Sequence, residues 1–219
     1  MKKILFMMLL SMLCGSMEAQ TVGIIPEPQK VETSSGCLYL EDTLNFVSAI
    51  STDDILPAAW TDCPLPFVGS TAKAKSKKST QTVIELKLNP SLKFPRNASQ
   101  GYLLDIGKKS ITIEAITIQG LYYGVLSLRQ LVVKAMVEDA KRPHIDCMTV
   151  VDYPVLEYRG WMDDLSRGPI PTMDFLKKEI RTMAMYKMNF FNLYTEQVFR
   201  LKSYPDIAPN DGLTAEQIQ

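Results

Sequence analysis

Polar and apolar residues alternate with period two through much of the first half of the chain, the mark of strands with one covered face. In "TVIELKL" (82–88), Val83, Glu85 and Lys87 face one way and Ile84, Leu86 and Leu88 the other. Shorter runs at Cys37–Leu40 and Thr43–Val47 carry the same signal. "YLLDI" (102–106) and "SITIEA" (110–115) flank "GKK", which predicts a hairpin. The period then changes. Leu121, Val125, Leu128, Val132 and Ala135 recur at spacings of four and three, predicting a helix over about 119–136 with one apolar stripe. Gly120 and Gly124 lie in that helix, where small residues allow close approach to a sheet. "EDAKRPHID" (138–146) reads as an exposed loop.

From residue 151 the pattern is different. Val155–Met162 carries large residues on both faces, as a strand buried on both sides would. "GPIPT" (168–172) breaks the chain. Thr172 is placed as an N-cap, with Asp174 in the first turn where the helix dipole favours an acid. The helix should run to about Tyr186, with Leu176, Ile180, Met183 and Lys187 on its inner line. "MNFFNLY" (188–194) is a second strand. Strand, helix and strand in some forty residues predict a βαβ unit of a parallel sheet. The expected fold class is therefore α/β and α+β: a small sheet-plus-helix domain, then the first βαβ part of an incomplete (β/α)8 TIM barrel.

Composition narrows the function. The 219 residues are 46% hydrophobic and 22% charged, an ordinary globular balance. Twenty-four basic side chains offset twenty-four acidic ones, so no basic face offers itself to nucleic acid. The one lysine cluster, "KAKSKKS" (73–79), reads as a solvated loop. Lys2 and Lys3, the apolar run 4–13 and "SMEAQ" (16–20) form the pattern of a secretory signal, with cleavage expected after Ala19. That run is too short to span a bilayer, and a lipoprotein signal using Cys14 is disfavoured by Leu13 before it. The expected segments are thus 1–19 signal, 20–150 first domain and 151–219 barrel start, in an exported protein (periplasmic, extracellular or at the cell surface) with no transmembrane segment.

Cys37, Cys63 and Cys147 remain after the signal, an odd, widely spaced set that makes no disulfide framework. With His144 as the only histidine and no C-x-x-C, neither a structural zinc site nor a Ser-His-Asp triad is supported, and no cofactor is expected. "YRGWMDDLSRG" (158–168) concentrates charge at the end of an apolar run. Chemistry collects at the C-terminal ends of strands in barrel units, so Arg159, Asp163, Asp164 and Arg167 are expected to cluster at the first strand's exit. Arg159, with its planar fork of donors, suits paired hydroxyls or a carboxylate; the alternative is a structural pairing with a nearby Asp.

These segments resemble glycoside hydrolase family 20, the exo-acting β-N-acetylhexosaminidases. "IIPEPQKVE" (24–32) is similar to the family's opening and Gln100–Val132 to the end of its small N-terminal domain. "DYPVLEYRGWMDDLSR" (152–167) resembles the start of its barrel, and "LKKEIRTMAMYKMNFFNLY" (176–194) the next helix and strand. The resemblance implies a glycan substrate with a terminal N-acetylhexosamine and retaining hydrolysis assisted by the substrate's own acetamido group, an exception to the usual carboxylate nucleophile. It implies that Arg159 binds sugar hydroxyls and that Asp164 and Arg167, as the family's D-x-x-R, shape the pocket. The family's catalytic Asp-Glu pair belongs near the fourth barrel strand, so no catalytic residue is expected in this chain, which should be inactive by itself. The usual H-W-H of the second strand is replaced by Asn192, Leu193 and Tyr194, with Glu196 and Gln197 following, as in a divergent branch. Asn192 and Glu196 are candidate sugar contacts. A non-catalytic carbohydrate-binding or protein-interaction module is the competing reading.

Overall fold

The computed structural model describes residues 22–53, 55–60, 63–70 and 81–218. The signal segment, Cys14 and the 73–79 lysine cluster lie outside the described residues. Alternating sequence becomes a seven-stranded mixed sheet: β1 (Lys30–Tyr39), β2 (Thr43–Ser48), β3 (Phe67–Ser70), β4 (Gln81–Leu88), β5 (Tyr102–Ile106), β6 (Ile111–Ala115) and β7 (His144–Asp152). Their order is β1-β7-β5-β6-β4-β2-β3. β6, β4, β2 and β3 run parallel, while β1, β7, β5 and β6 pair antiparallel.

One face of the sheet is dry. Ile84, Leu86, Leu104, Ile113 and Val150 are buried there. A short helix α1 (Leu56–Trp60) and the long helix α2 (Ile118–Glu138) contribute to the same core. The predicted stripe is the one that packs: Leu121, Val125, Leu128, Val132 and Ala135 are all buried. The small residues serve close approach. A Cβ on Gly124 would collide with Ile113 Cγ2 and press on the Tyr102 ring, and one on Gly120 would meet the Gly101 carbonyl and Ala115. Thr117 caps α2 by accepting from the Gly120 amide at 3.2 Å. The predicted 107–109 turn closes β5 onto β6 with Gly107 N donating to Ser110 O.

In the small domain, two expected boundaries differ from the structure. The strand predicted at 37–40 starts at Lys30, because β1 pairs along β7 on both sides of an irregularity between Thr33 and Cys37. The loop expected over 138–146 is shorter, since His144–Asp146 already belong to β7 and pair with Tyr39–Cys37.

The second unit comprises β8 (Gly160–Asp164), α3 (Met173–Met185) and β9 (Phe190–Tyr194), followed by a one-turn 3-10 helix (Glu196–Val198) and α4 (Ala215–Ile218). β8 and β9 are parallel, as a βαβ unit requires. Thr172 caps α3 by accepting from the Phe175 amide at 3.3 Å. The predicted strand over 155–162 is corrected: only residues from Gly160 pair, and 155–158 are exposed. The carbonyls before Gly160 are taken by side chains. Asn97 donates to Pro154 O and Val155 O, Arg159 to Leu156 O, and Gln100 and Asn189 to Glu157 O. Those acceptors are satisfied without a neighbouring strand.

The inner line of α3 also differs from expectation. Leu176 and Met183 are buried, but Ile180 remains 49% exposed. Lys187 lies beyond the helix end. There Lys187 N donates to Ala184 O and Met188 N to Met183 O, the paired bonds of a Schellman turn. Lys187 itself sits in the left-handed region, φ 59°, where glycine is usual. A side chain with a Cβ costs roughly 1–2 kcal/mol in that conformation.

Candidate functional site at the ends of β8 and β9

The two short strands have different faces. Trp161, Asp163, Phe191 and Leu193 share register positions on one face. Leu193 packs with the Leu165, Leu176, Val198 and Leu213 cluster, and Glu179 of α3 is held above its ordinary value by burial and by the Asp163 charge. The helix covers this face only in part: Asp163, Phe191 and Leu193 are half-buried, while Trp161 stays 54% exposed. Met162, Asp164, Phe190, Asn192 and Tyr194 take the other face, where Met162 is 56% and Phe190 54% exposed. Asp163 and Asp164 point to opposite sides, as neighbours in a strand must.

At the C-terminal end of the open face the polar groups converge. Asp164 Oδ1 accepts from the Ser166 amide at 3.0 Å and from Ser166 Oγ at 2.6 Å, which folds the chain sharply after β8. Its Oδ2 lies 3.5 Å from Arg167 Nε. The Ser166 hydroxyl first, then its amide and Arg167, hold the Asp164 carboxyl below its usual 3.8. Across the strand pair, Tyr194 Oη donates to Glu196 Oε1 at 2.7 Å. That bond, reinforced by the Glu196 charge, raises the Tyr194 phenol above its ordinary value; Asp164 adds to the rise and Arg167 opposes it. Glu196 takes a left-handed φ of 36° at the start of the 3-10 turn, uncommon for a residue with a Cβ. Asp163, Asp164, Arg167, Ile170 and Phe175 line an open groove of about 570 Å³ beside this end. The fixed Asp164 carboxylate and the exposed Arg167 guanidinium border this groove and offer an acceptor and donors to hydroxyls; Asn192, Tyr194 and Glu196 lie at the same strand end but do not line it.

A profile for glycosyl hydrolase family 20, domain 2, matches residues 21–153, more than half the chain. The chain belongs to glycoside hydrolase family 20. This family 20 chain is 28% identical over 177 residues to a Vibrio vulnificus beta-hexosaminidase, covering 81% of this chain and 19% of that protein. It is 27% identical over 201 residues to the Porphyromonas gingivalis beta-hexosaminidase, with 84% and 24% covered. The matched part thus spans about a fifth to a quarter of those relatives. The crystal structure of a β-N-acetylhexosaminidase from Bacteroides fragilis superposes with a TM-score of 0.72 at 22% identity, covering 90% of this chain and 41% of that one. That likeness concerns the fold.

One expected site residue is elsewhere. Arg159 precedes β8, whereas Asp164 ends it, so the expected four-residue cluster at the exit does not form. Arg159 lies at the opposite end of the strand, donating to Lys187 O, Leu156 O, Glu157 O, Gln100 Oε1 and Tyr123 Oη. The error came from extending the strand back to Val155, which moved Arg159 onto the wrong side of the bend. Asp164, Arg167 and Glu196 do gather at one end, and Asn192 sits on the same face one pleat below. Ser166, which fixes Asp164, carried no sequence signal beyond its position inside the turn. Among the described residues no three His, Cys, Asp or Glu side chains group as metal ligands, and no helix is long and apolar enough to cross a membrane.

Proposed function

We propose that this chain is the front part of an exported exo-β-N-acetylhexosaminidase, with a small domain that runs through Asp152 at the end of β7 and the remaining residues opening the catalytic barrel. In this reading the C-terminal ends of β8 and β9 form part of the pocket for the terminal N-acetylhexosamine. The observation that carries it is the convergence of Asp164, Arg167, Tyr194 and Glu196 at one strand end, on the face that α3 leaves open. Arg167 donates to ring hydroxyls, and Asp164 fixes the guanidinium while Ser166 fixes Asp164. Glu196 accepts from a hydroxyl in competition with Tyr194, and Asn192 contacts the sugar edge. Arg159, at the other end of β8, has no part in sugar binding.

Chemistry would follow the substrate-assisted course: the acetamido oxygen attacks the anomeric carbon, the leaving oxygen takes a proton from a carboxylic acid, and water then opens the cyclic intermediate with net retention. The acid and its partner Asp are supplied by polypeptide outside these 219 residues, in keeping with the small share of each relative that the chain spans. The test is hydrolysis of a chromogenic N-acetylglucosaminide. The 219-residue chain should give no turnover, and the product of the reading frame continued beyond codon 219 should be active. Arg167→Ala in that longer protein should lower kcat/KM about 10- to 100-fold, as loss of a charged hydrogen bond worth about 1.5–3 kcal/mol implies. Turnover by the short chain, or full activity of the Arg167→Ala enzyme, would reject the assignment.

A further inference from the structure

Lys187 carries a buried charge in a strained backbone position, far from the groove. The residue is 5% exposed, and its ammonium donates to Asp152 Oδ2 at 2.9 Å and to Tyr102 Oη at 3.0 Å. Tyr102, buried in β5, donates in turn to Asp152 Oδ2 at 2.9 Å and shares a 2.6 Å bond with Ser127 Oγ of α2. The carbonyl of the same Lys187 accepts from Arg159 Nε at 2.9 Å and from an Arg159 terminal nitrogen at 2.6 Å. That nitrogen also reaches Gln100 Oε1 at 2.9 Å and Tyr123 Oη at 3.2 Å. Asn189 completes the set, accepting from the Arg159 amide at 2.8 Å and donating to Glu157 O at 2.8 Å.

Partners on one side of this network belong to the small domain: Gln100, Tyr102, Tyr123, Ser127 and Asp152. Those on the other side, Arg159, Lys187 and Asn189, stand immediately before β8 and β9. From this we infer that Lys187 and Arg159 are positioning residues, which make the buried polar surface of the small domain the template on which the N-terminal ends of the first two barrel strands are laid. The left-handed backbone at Lys187 supports this. Glycine would suit the turn better, yet the residue there is a lysine whose side chain reaches Asp152 and Tyr102. Burial pushes the ammonium below its ordinary range and Asp152 pulls it back, so the pair is held together by a partner from the other unit. The inference concerns the base of the strands and stands whether or not their opposite ends bind a sugar.

Local and long-range roles separate in Lys187→Gly, which relieves the turn and removes the side chain. Hydrogen exchange of the 219-residue chain is followed by mass spectrometry in peptides covering 160–164 and 190–194, with 118–138 as the internal reference. The expected result is at least tenfold faster exchange in both strand peptides with the reference unchanged. Slower or unaltered exchange in the strands would show that Lys187 serves only the helix end, and equal acceleration of the reference would show that it belongs to the small domain's own core; either overturns the inference. Asp152→Asn, which keeps the shape and removes the charge, is read on the same peptides by the same criteria should Lys187→Gly yield no folded protein. Arg159→Lys, which keeps the charge but loses the fork, should accelerate the strand peptides in the same way; wild-type exchange there would remove Arg159 from the template.

Discussion

The two units of this chain bury themselves to different degrees. The small domain closes a continuous core between one sheet face and α1 and α2, with Leu44, Phe46, Leu104, Ile113, Leu121 and Leu128 almost inaccessible to solvent. The second unit has only a small hydrophobic cluster, Leu165, Leu176, Val198 and Leu213. Its open face leaves Met162, Phe190 and Tyr194 exposed. Full burial of such a side chain is worth about 1.5–3 kcal/mol, so this face forgoes several kcal/mol, comparable with a domain's net stability of about 5–15 kcal/mol. The contrast is between a unit closed around its own core and a unit whose strand face stays open. Polar groups at the base of β8 and β9 do the joining, and the far ends of those strands stay open.

The largest effect that would break this contrast lies in the small domain. Leu128→Ala, at the centre of the α2 stripe, should cost about 2–5 kcal/mol in urea unfolding, whereas Met162→Ala on the open face should change stability by less than about 0.5 kcal/mol. Equal losses would mean that the open face is packed in solution. Gly124→Ala should cost about 1–3 kcal/mol, since its Cβ must displace Ile113 or the Tyr102 ring. Gly168→Ala, with nothing within 4 Å, should be near neutral in the same measurement. Removing the α2 cap with Thr117→Ala should cost about 1 kcal/mol, read as a shift of the denaturation midpoint at unchanged slope.

The smallest expected effect sharpens the picture at the groove. Asp164 should titrate below 3.8 by carboxyl-resolved NMR, and Ser166→Ala should move its midpoint upward, because the serine hydroxyl donates to the charged form. A carboxyl whose folded value lies below its unfolded one contributes fully above the unfolded value, and that contribution fades as pH falls through the folded value. The window for Asp164 therefore lies in acid, below about pH 4. A midpoint above 3.8 would place Asp164 outside the turn described.

Much of this was legible in the sequence, for identifiable reasons. The α2 stripe, the 107–109 hairpin and the Thr172 cap are local patterns, and local chemistry dictates them. The approach of Gly120 and Gly124 to the sheet could be read from residue size alone. Strand boundaries could not, because they depend on which carbonyls distant side chains capture. Asn97 and Gln100, some 57 residues away, end the extended run before Gly160. That one displacement carried Arg159 from the exit of β8 to its base. Lys187 looked like an ordinary position on an amphipathic helix, and only the fold brings it to Asp152 and Tyr102. At the groove, Asp164 and Arg167 were adjacent enough in sequence to be paired in advance; the Tyr194–Glu196 bond depends on the left-handed turn at Glu196.

Limited proteolysis of the 219-residue chain, followed by mass spectrometry, tests this contrast between the units most directly. The first cuts should fall between 165 and 212, and a fragment retaining 22–152 should persist. Early cleavage within 81–138, or equal survival of both units, would contradict it.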